Sequence, residues 1–94
     1  MDFEWEDVKN QKNYKKHGVY FAEAATALSD PHAIQIPDFD SDRSEERFVV
    51  IGYSAKCRML VVVYTVKEYF RKEEIYRIIS ARKANKMEQS QYEK

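Results

Sequence analysis

Arg58, Arg77, Glu46 and His17 are side chains of the types that can hold an oxyanion or move a proton. Arg58 and Arg77 carry planar guanidinium groups able to donate two parallel hydrogen bonds to a phosphate. Glu46 and His17 can take or give a proton, and the histidine side chain titrates closest to neutrality. Each has a plainer reading beside the chemical one. The arginines suit ion pairs on a strand surface, and Glu46 suits a solvated carboxylate or an arginine partner. His17, between Lys16 and Gly18, suits a cation at a helix C-terminus. Lys16, Arg47, Arg82 and Lys83 add further cations that could bind the backbone of a nucleic acid, or simply form a solvated face.

The elements that must position these groups follow from the pattern. Phe3 and Trp5 alternate in a short strand, and a polar helix over about residues 6 to 16 ends in Lys16, His17 and Gly18. A second helix places Phe21, Ala24, Ala25 and Leu28 on one face and is closed by Pro31; Tyr20 stands at its N-cap without a short acceptor side chain. "HAIQIPD" predicts a short edge strand. "RFVVIGYSAKCRMLVVVYTV" predicts a hairpin whose second arm, apolar on both alternating faces, is the central strand. "KEYFRKEE" predicts an exposed connection, "IYRIISARK" a third long strand, and Asn85 with Glu88 the capping box of a last helix. The expected class is α+β: an antiparallel sheet with two N-terminal helices and a C-terminal helix, all packed on one face. Strict alternation puts Arg77 with Ile75, Ile79 and Ala81, and Arg82 with Tyr76, Ile78 and Ser80 on the other face. Without a bulge the two arginines cannot share a pocket.

Composition bounds the function. Ninety-four residues with 44% hydrophobic content suffice for one domain, 1–94, and 16 basic against 16 acidic residues exclude a large global positive charge. Local segregation remains, acidic in 38–46 and basic in 13–17 and 82–86. Cys57 is the one cysteine, so no intrachain disulfide forms; the N-terminus lacks a secretory apolar core, and the longest apolar run, 59–66, is too short to span a membrane. A cytoplasmic protein is expected. Asp38, Asp40 and Asp42 imitate a calcium loop, but Arg43 replaces its glycine and Val49 its bidentate glutamate. His17, His32 and Cys57 lack metal-site spacing, and Gly18 and Gly52 form no phosphate-binding motif. No metal or other cofactor is expected.

"FEWEDVKNQKNYKKHGVYFAEAATALSDP", "EERFVVIGYS", "RMLVVVYT" and "RIISARKA", followed by Glu88 and Tyr92, stand in an order and spacing that resembles the BrnT toxin family over nearly the whole chain. Tyr20 departs from a capping Ser or Asp, and Cys57 from a turn Gly. The resemblance implies a RelE-like fold and an endoribonuclease toxin of a type II toxin–antitoxin module, inhibiting translation. It implies metal-independent cleavage through ribose 2′-OH attack, with Arg58, Arg77 and Glu46 as the active constellation and Glu46 as base. His17 would assist, and Lys16, Arg47, Arg82 and Lys83 would hold RNA. The implied partner is a BrnA-type ribbon-helix-helix antitoxin, through which alone operator DNA is contacted. The alternative is a non-catalytic antitoxin-binding module acting as transcriptional co-repressor.

Overall fold

The computed structural model describes residues 2–37, 46–68 and 73–94. The acidic triplet Asp38, Asp40 and Asp42, and the middle of the "KEYFRKEE" connection, lie outside the described residues. A strand β1 (Asp2–Glu4) leads into helix α1 (Asp7–His17), with Asp7 in its first turn and Lys15, Lys16 and His17 in its last. These charges complement the helix dipole at both ends. Gly18 ends α1 at φ 72°, its N–H donating to the Tyr14 carbonyl at 2.8 Å. Helix α2 (Phe21–Leu28) starts from Tyr20, whose side chain caps nothing. Asn10 supplies the missing acceptor from α1, its Oδ1 receiving the Phe21 N–H at 2.7 Å.

Strands β2 (Ile34–Ile36), β3 (Phe48–Tyr53), β4 (Met59–Glu68) and β5 (Glu74–Lys83) complete a five-stranded sheet in the order β1-β5-β4-β3-β2. The doubly apolar β4 is the middle strand, as its pattern requires, and β2 is an edge. In the β3–β4 turn the Ser54 N–H donates to the Arg58 carbonyl at 2.8 Å and Cys57 takes φ 60°. That backbone favours glycine and explains why Cys57 is an uncomfortable occupant. The sheet is mixed rather than antiparallel, because β1 runs parallel to β5, with Phe3 opposite Tyr76. Two helices and three strands separate β1 from β5 in sequence, so no hairpin constrains their relative direction.

The helices also do not share one face. α1 and α2 cover a core of Val19, Phe21, Ala24, Ala27, Leu60, Val62, Ile78 and Ala81. The third helix, α3 (Lys86–Tyr92), lies on the opposite face, where Tyr92 packs with Val49, Ile51, Val61 and Ala84. The reason is in β3 and β4: Val49, Val50, Ile51, Leu60, Val61 and Val62 are all buried, so both sheet faces need cover. Asn85 and Glu88 form the expected capping box, and the Tyr92 hydroxyl donates to Asp30 Oδ2 at 2.7 Å. On the α2 side Gly52 permits close approach, since a Cβ there would lie 2.3 Å from the Ala27 carbonyl oxygen.

One irregularity decides where the arginines point. Val63 pairs with Ser80 but Tyr64 pairs with Ile78, which leaves Ile79 as an extra residue in β5. Ile78 and Ala81, three apart, therefore enter the same core, and Arg77 and Arg82 fall together on the α3 face. β1 reaches only to Arg77, so the rest of β5 borders α1. There the Asn13 side chain takes the place of a neighbouring strand, accepting the Ala81 N–H at 3.1 Å and donating to the Ala81 carbonyl at 2.8 Å.

Candidate functional site

On the α3 face a groove of about 440 Å³ has an apolar floor of Val49, Val61 and Val63 and a polar rim of Ser80, Arg82, Asn85 and Glu88. Arg82 meets Glu88 as a two-bond fork, Nη1 to Oε1 at 2.8 Å and Nη2 to Oε2 at 2.7 Å. The guanidinium holds the Glu88 carboxyl below its ordinary range, against the opposing effect of burial. Arg77, opposite Thr65 on the same face, donates to Glu4 Oε2 at 2.7 Å and to Glu6 Oε1 at 2.9 Å. The Thr65 hydroxyl is buried and has no hydrogen-bond partner among the described residues. Glu46 and Arg47 are exposed just before Phe48, which pairs with Tyr64, so both approach the sheet end that carries Thr65 and Arg77.

Arg58 belongs elsewhere. It emerges toward α2, where its Nε donates to Glu23 Oε2 at 2.9 Å, its Nη2 donates to Glu23 Oε1, and the same Nη2 reaches the Gly18 carbonyl at 3.1 Å. The Ser54 hydroxyl donates to Glu23 Oε2 at 2.7 Å, and the Glu23 side chain is 4% exposed against 30% for Arg58. Donation from Arg58 keeps the Glu23 carboxyl below its ordinary range even though burial pushes the other way. Thr26 Oγ1 accepts the Ala55 N–H at 2.9 Å and adds a second tie from the turn to α2. This arrangement locks the β3–β4 turn, α2 and the α1–α2 junction together.

The expected constellation of Glu46, Arg58 and Arg77 is thus not brought into one pocket. Arg58 and Arg77 lie on opposite faces, and Arg77 pairs seven residues beyond Arg58 along β4, about 23 Å at strand rise. The expectation that Arg77 and Arg82 occupy different faces is corrected as well, by the bulge at Ile79. Lys16 and His17 come together, lining a groove of about 300 Å³ between α1 and the bulge, and Lys83 is exposed at the end of β5. Glu23 went unnoticed in the sequence, although a carboxylate between Phe21 and Ala24 on a short apolar helix is the signal of a buried ion pair. Asn13 carried a weaker sign, an amide within a lysine-rich helix. Among the described residues no group of three or more His, Cys, Asp or Glu is placed to hold a metal ion, and no helix is long and apolar enough to cross a membrane.

Comparison with curated proteins gives no match. Among solved structures the chain is similar to the Brucella abortus ribonuclease toxin BrnT, with 26% identity and a TM-score of 0.63 over 92% of this chain and 99% of that one. The family model described as the ribonuclease toxin BrnT of type II toxin–antitoxin systems matches residues 5–88. A match of that extent takes in β2 to β5, all of α1 and α2 and the first residues of α3, leaving out β1, and the chain belongs to the BrnT ribonuclease toxin family.

Proposed function

We propose that this protein is a cytoplasmic endoribonuclease toxin that cleaves RNA without a metal, through attack of the ribose 2′-OH on the adjacent phosphate. The products are a 2′,3′-cyclic phosphate and a 5′-hydroxyl. The observation that carries this reading is the bulge at Ile79, which turns Arg77 and Arg82 to one sheet face beside the groove, with Arg47 approaching from β3. Guanidinium groups on rigid strands are preorganised to stabilise the charge that builds on a pentavalent phosphate. Arg77 and Arg82 stand roughly 15 Å apart along β5, so they serve successive parts of a strand, with the reacting phosphate at Arg82. Glu46 lies at the sheet end beside Arg77, about 15 Å along the strands from Arg82 and out of hydrogen-bond reach of a 2′-OH at that phosphate, so the base there is Glu88, which is freed when phosphate replaces it on the Arg82 fork. Arg58 is a strut rather than a phosphate ligand, because Glu23 and the Gly18 carbonyl already use its donors.

The partner of this reading is a BrnA-type ribbon-helix-helix antitoxin, which silences the toxin and alone contacts operator DNA. A second reading, an antitoxin-binding co-repressor without nuclease activity, draws on a specific observation: Arg58, Arg77 and Arg82 are all engaged by carboxylates. Under the nuclease reading RNA phosphate replaces Glu88 on the Arg82 fork, since carboxylate and phosphate present the same acceptor geometry. Analysis of product ends separates the two. Purified protein incubated with RNA in excess EDTA is expected to yield cyclic-phosphate and 5′-hydroxyl termini; intact RNA, or cleavage that EDTA abolishes, would overturn the proposal.

A further inference from the structure

The groove on the α3 face does not stop at the edge of the sheet. Ser80 lines it, and Ser80 also lines the separate groove between α1 and the β5 bulge, whose other walls are Lys9, Lys12, Lys16, His17 and Ile79. The two meet where β5 has no strand neighbour, because β1 pairs only as far as Arg77 and Asn13 occupies the edge at Ala81. Lys9, Lys12 and Lys16 are spaced by three and four residues, so they form one row on α1 with about 5–6 Å between successive Cβ atoms. That repeat is comparable with the separation of consecutive phosphates in a single strand. All three are exposed, and among the described residues no acidic one lines their groove. This contrasts with Arg58, Arg77 and Arg82, each of which faces a carboxylate. Lys15, on the same helix, does not line the groove.

We infer that the row Lys9–Lys12–Lys16 is the track for single-stranded RNA leaving the cleavage groove, which it enters over Ser80 at the open edge of β5. The inference rests on the ribonuclease reading and deepens it. Cleavage by 2′-OH attack requires a strand whose ribose can rotate in line, so a single strand is the form such a track must hold. The lysines supply sequence-independent backbone affinity, while Arg82 addresses the reacting phosphate. A neutral chain thereby binds a polyanion by placing unopposed cations in one row.

The test measures binding of a fluorescein-labelled 2′-O-methyl RNA 12-mer, which lacks the attacking hydroxyl, across a series of salt concentrations. Each phosphate contact on a single strand contributes about 0.7 to the slope of log affinity against log salt. The triple variant Lys9→Gln, Lys12→Gln, Lys16→Gln is expected to lower that slope by about 2, with the wild-type circular dichroism spectrum retained and Lys15→Gln leaving the slope unchanged. A triple variant with the wild-type slope, or an equal loss in Lys15→Gln, would overturn the track even if the wild type cleaves RNA. A triple variant that keeps its RNA slope but escapes inhibition by the antitoxin would assign the lysines to that protein and also overturn it. If the wild type neither binds the 12-mer nor cleaves RNA, the ribonuclease reading fails and the track fails with it.

Discussion

Two guanidinium–carboxylate forks in this molecule use the same chemistry in opposite settings. At the α1–α2 junction Arg58 grips a Glu23 side chain that is 4% exposed, with further bonds from Ser54 to the carboxylate and from Arg58 to the Gly18 carbonyl. Across the sheet Arg82 grips a Glu88 side chain that is 14% exposed, while Arg82 itself is 43% exposed and borders an open groove. The first pair joins a turn to two helices. The second joins the end of β5 to a short terminal helix that buries none of its residues. A fork becomes a strut when burial removes water as an alternative partner, and stays available to a ligand when one partner faces solvent.

The largest stability effect expected from this contrast is at Arg58. Arg58→Ala leaves the Glu23 carboxylate buried with Ser54 as its remaining side-chain partner, and a urea melt should show a loss of about 3 kcal/mol. Arg82→Ala should cost only about 1 kcal/mol in the same melt, because water replaces the lost partner. Equal losses would erase the distinction between strut and open fork.

Acid sharpens the comparison. The folded-state pKa of Glu23 lies below its ordinary value of 4.5, so the stability it confers is present above pH 4.5 and is lost as pH falls through the depressed folded value. Arg58→Ala removes the main cause of that depression. Its stability should therefore change less steeply with pH below 4.5 than that of the wild type, as followed by urea midpoints at successive pH values.

The smallest expected change is a gain. Cys57→Gly relieves the φ of 60° in the turn that delivers Arg58 and should raise stability by about 1 kcal/mol in thermal or urea unfolding. Cleavage should be unaffected, since the α3 face is not touched.

What the sequence disclosed about this arrangement was local. Gly18 after Lys16 and His17, the Asn85–Glu88 capping box, the edge strand before Pro37 and the doubly apolar β4 are each written in a few neighbouring residues, and each forms as expected. The same two-sided burial of β3 and β4 could have placed α3 on the second face, yet α3 offers only Tyr92 as an apolar anchor and has little periodicity to read. The parallel β1 depends on a pairing between the two ends of the chain. The bulge at Ile79 carries no glycine or proline to mark it, because it is set by the competing needs of Ile78 and Ala81 to enter one core. That single residue moved Arg82 across the sheet relative to strict alternation. The candidate site was legible in its residue types and illegible in their grouping.

The most direct test of the division between strut and site is the RNA cleavage rate per folded molecule for Arg82→Ala and Arg58→Ala, each corrected for the folded fraction from its own melt. Arg82→Ala is expected to fall by about 100-fold or more, the usual consequence of removing a charge-stabilising donor, while folded Arg58→Ala stays near the wild-type rate. The reverse pattern, an active Arg82→Ala and an inactive but folded Arg58→Ala, would contradict the account and move the reacting phosphate to the helix side of the sheet.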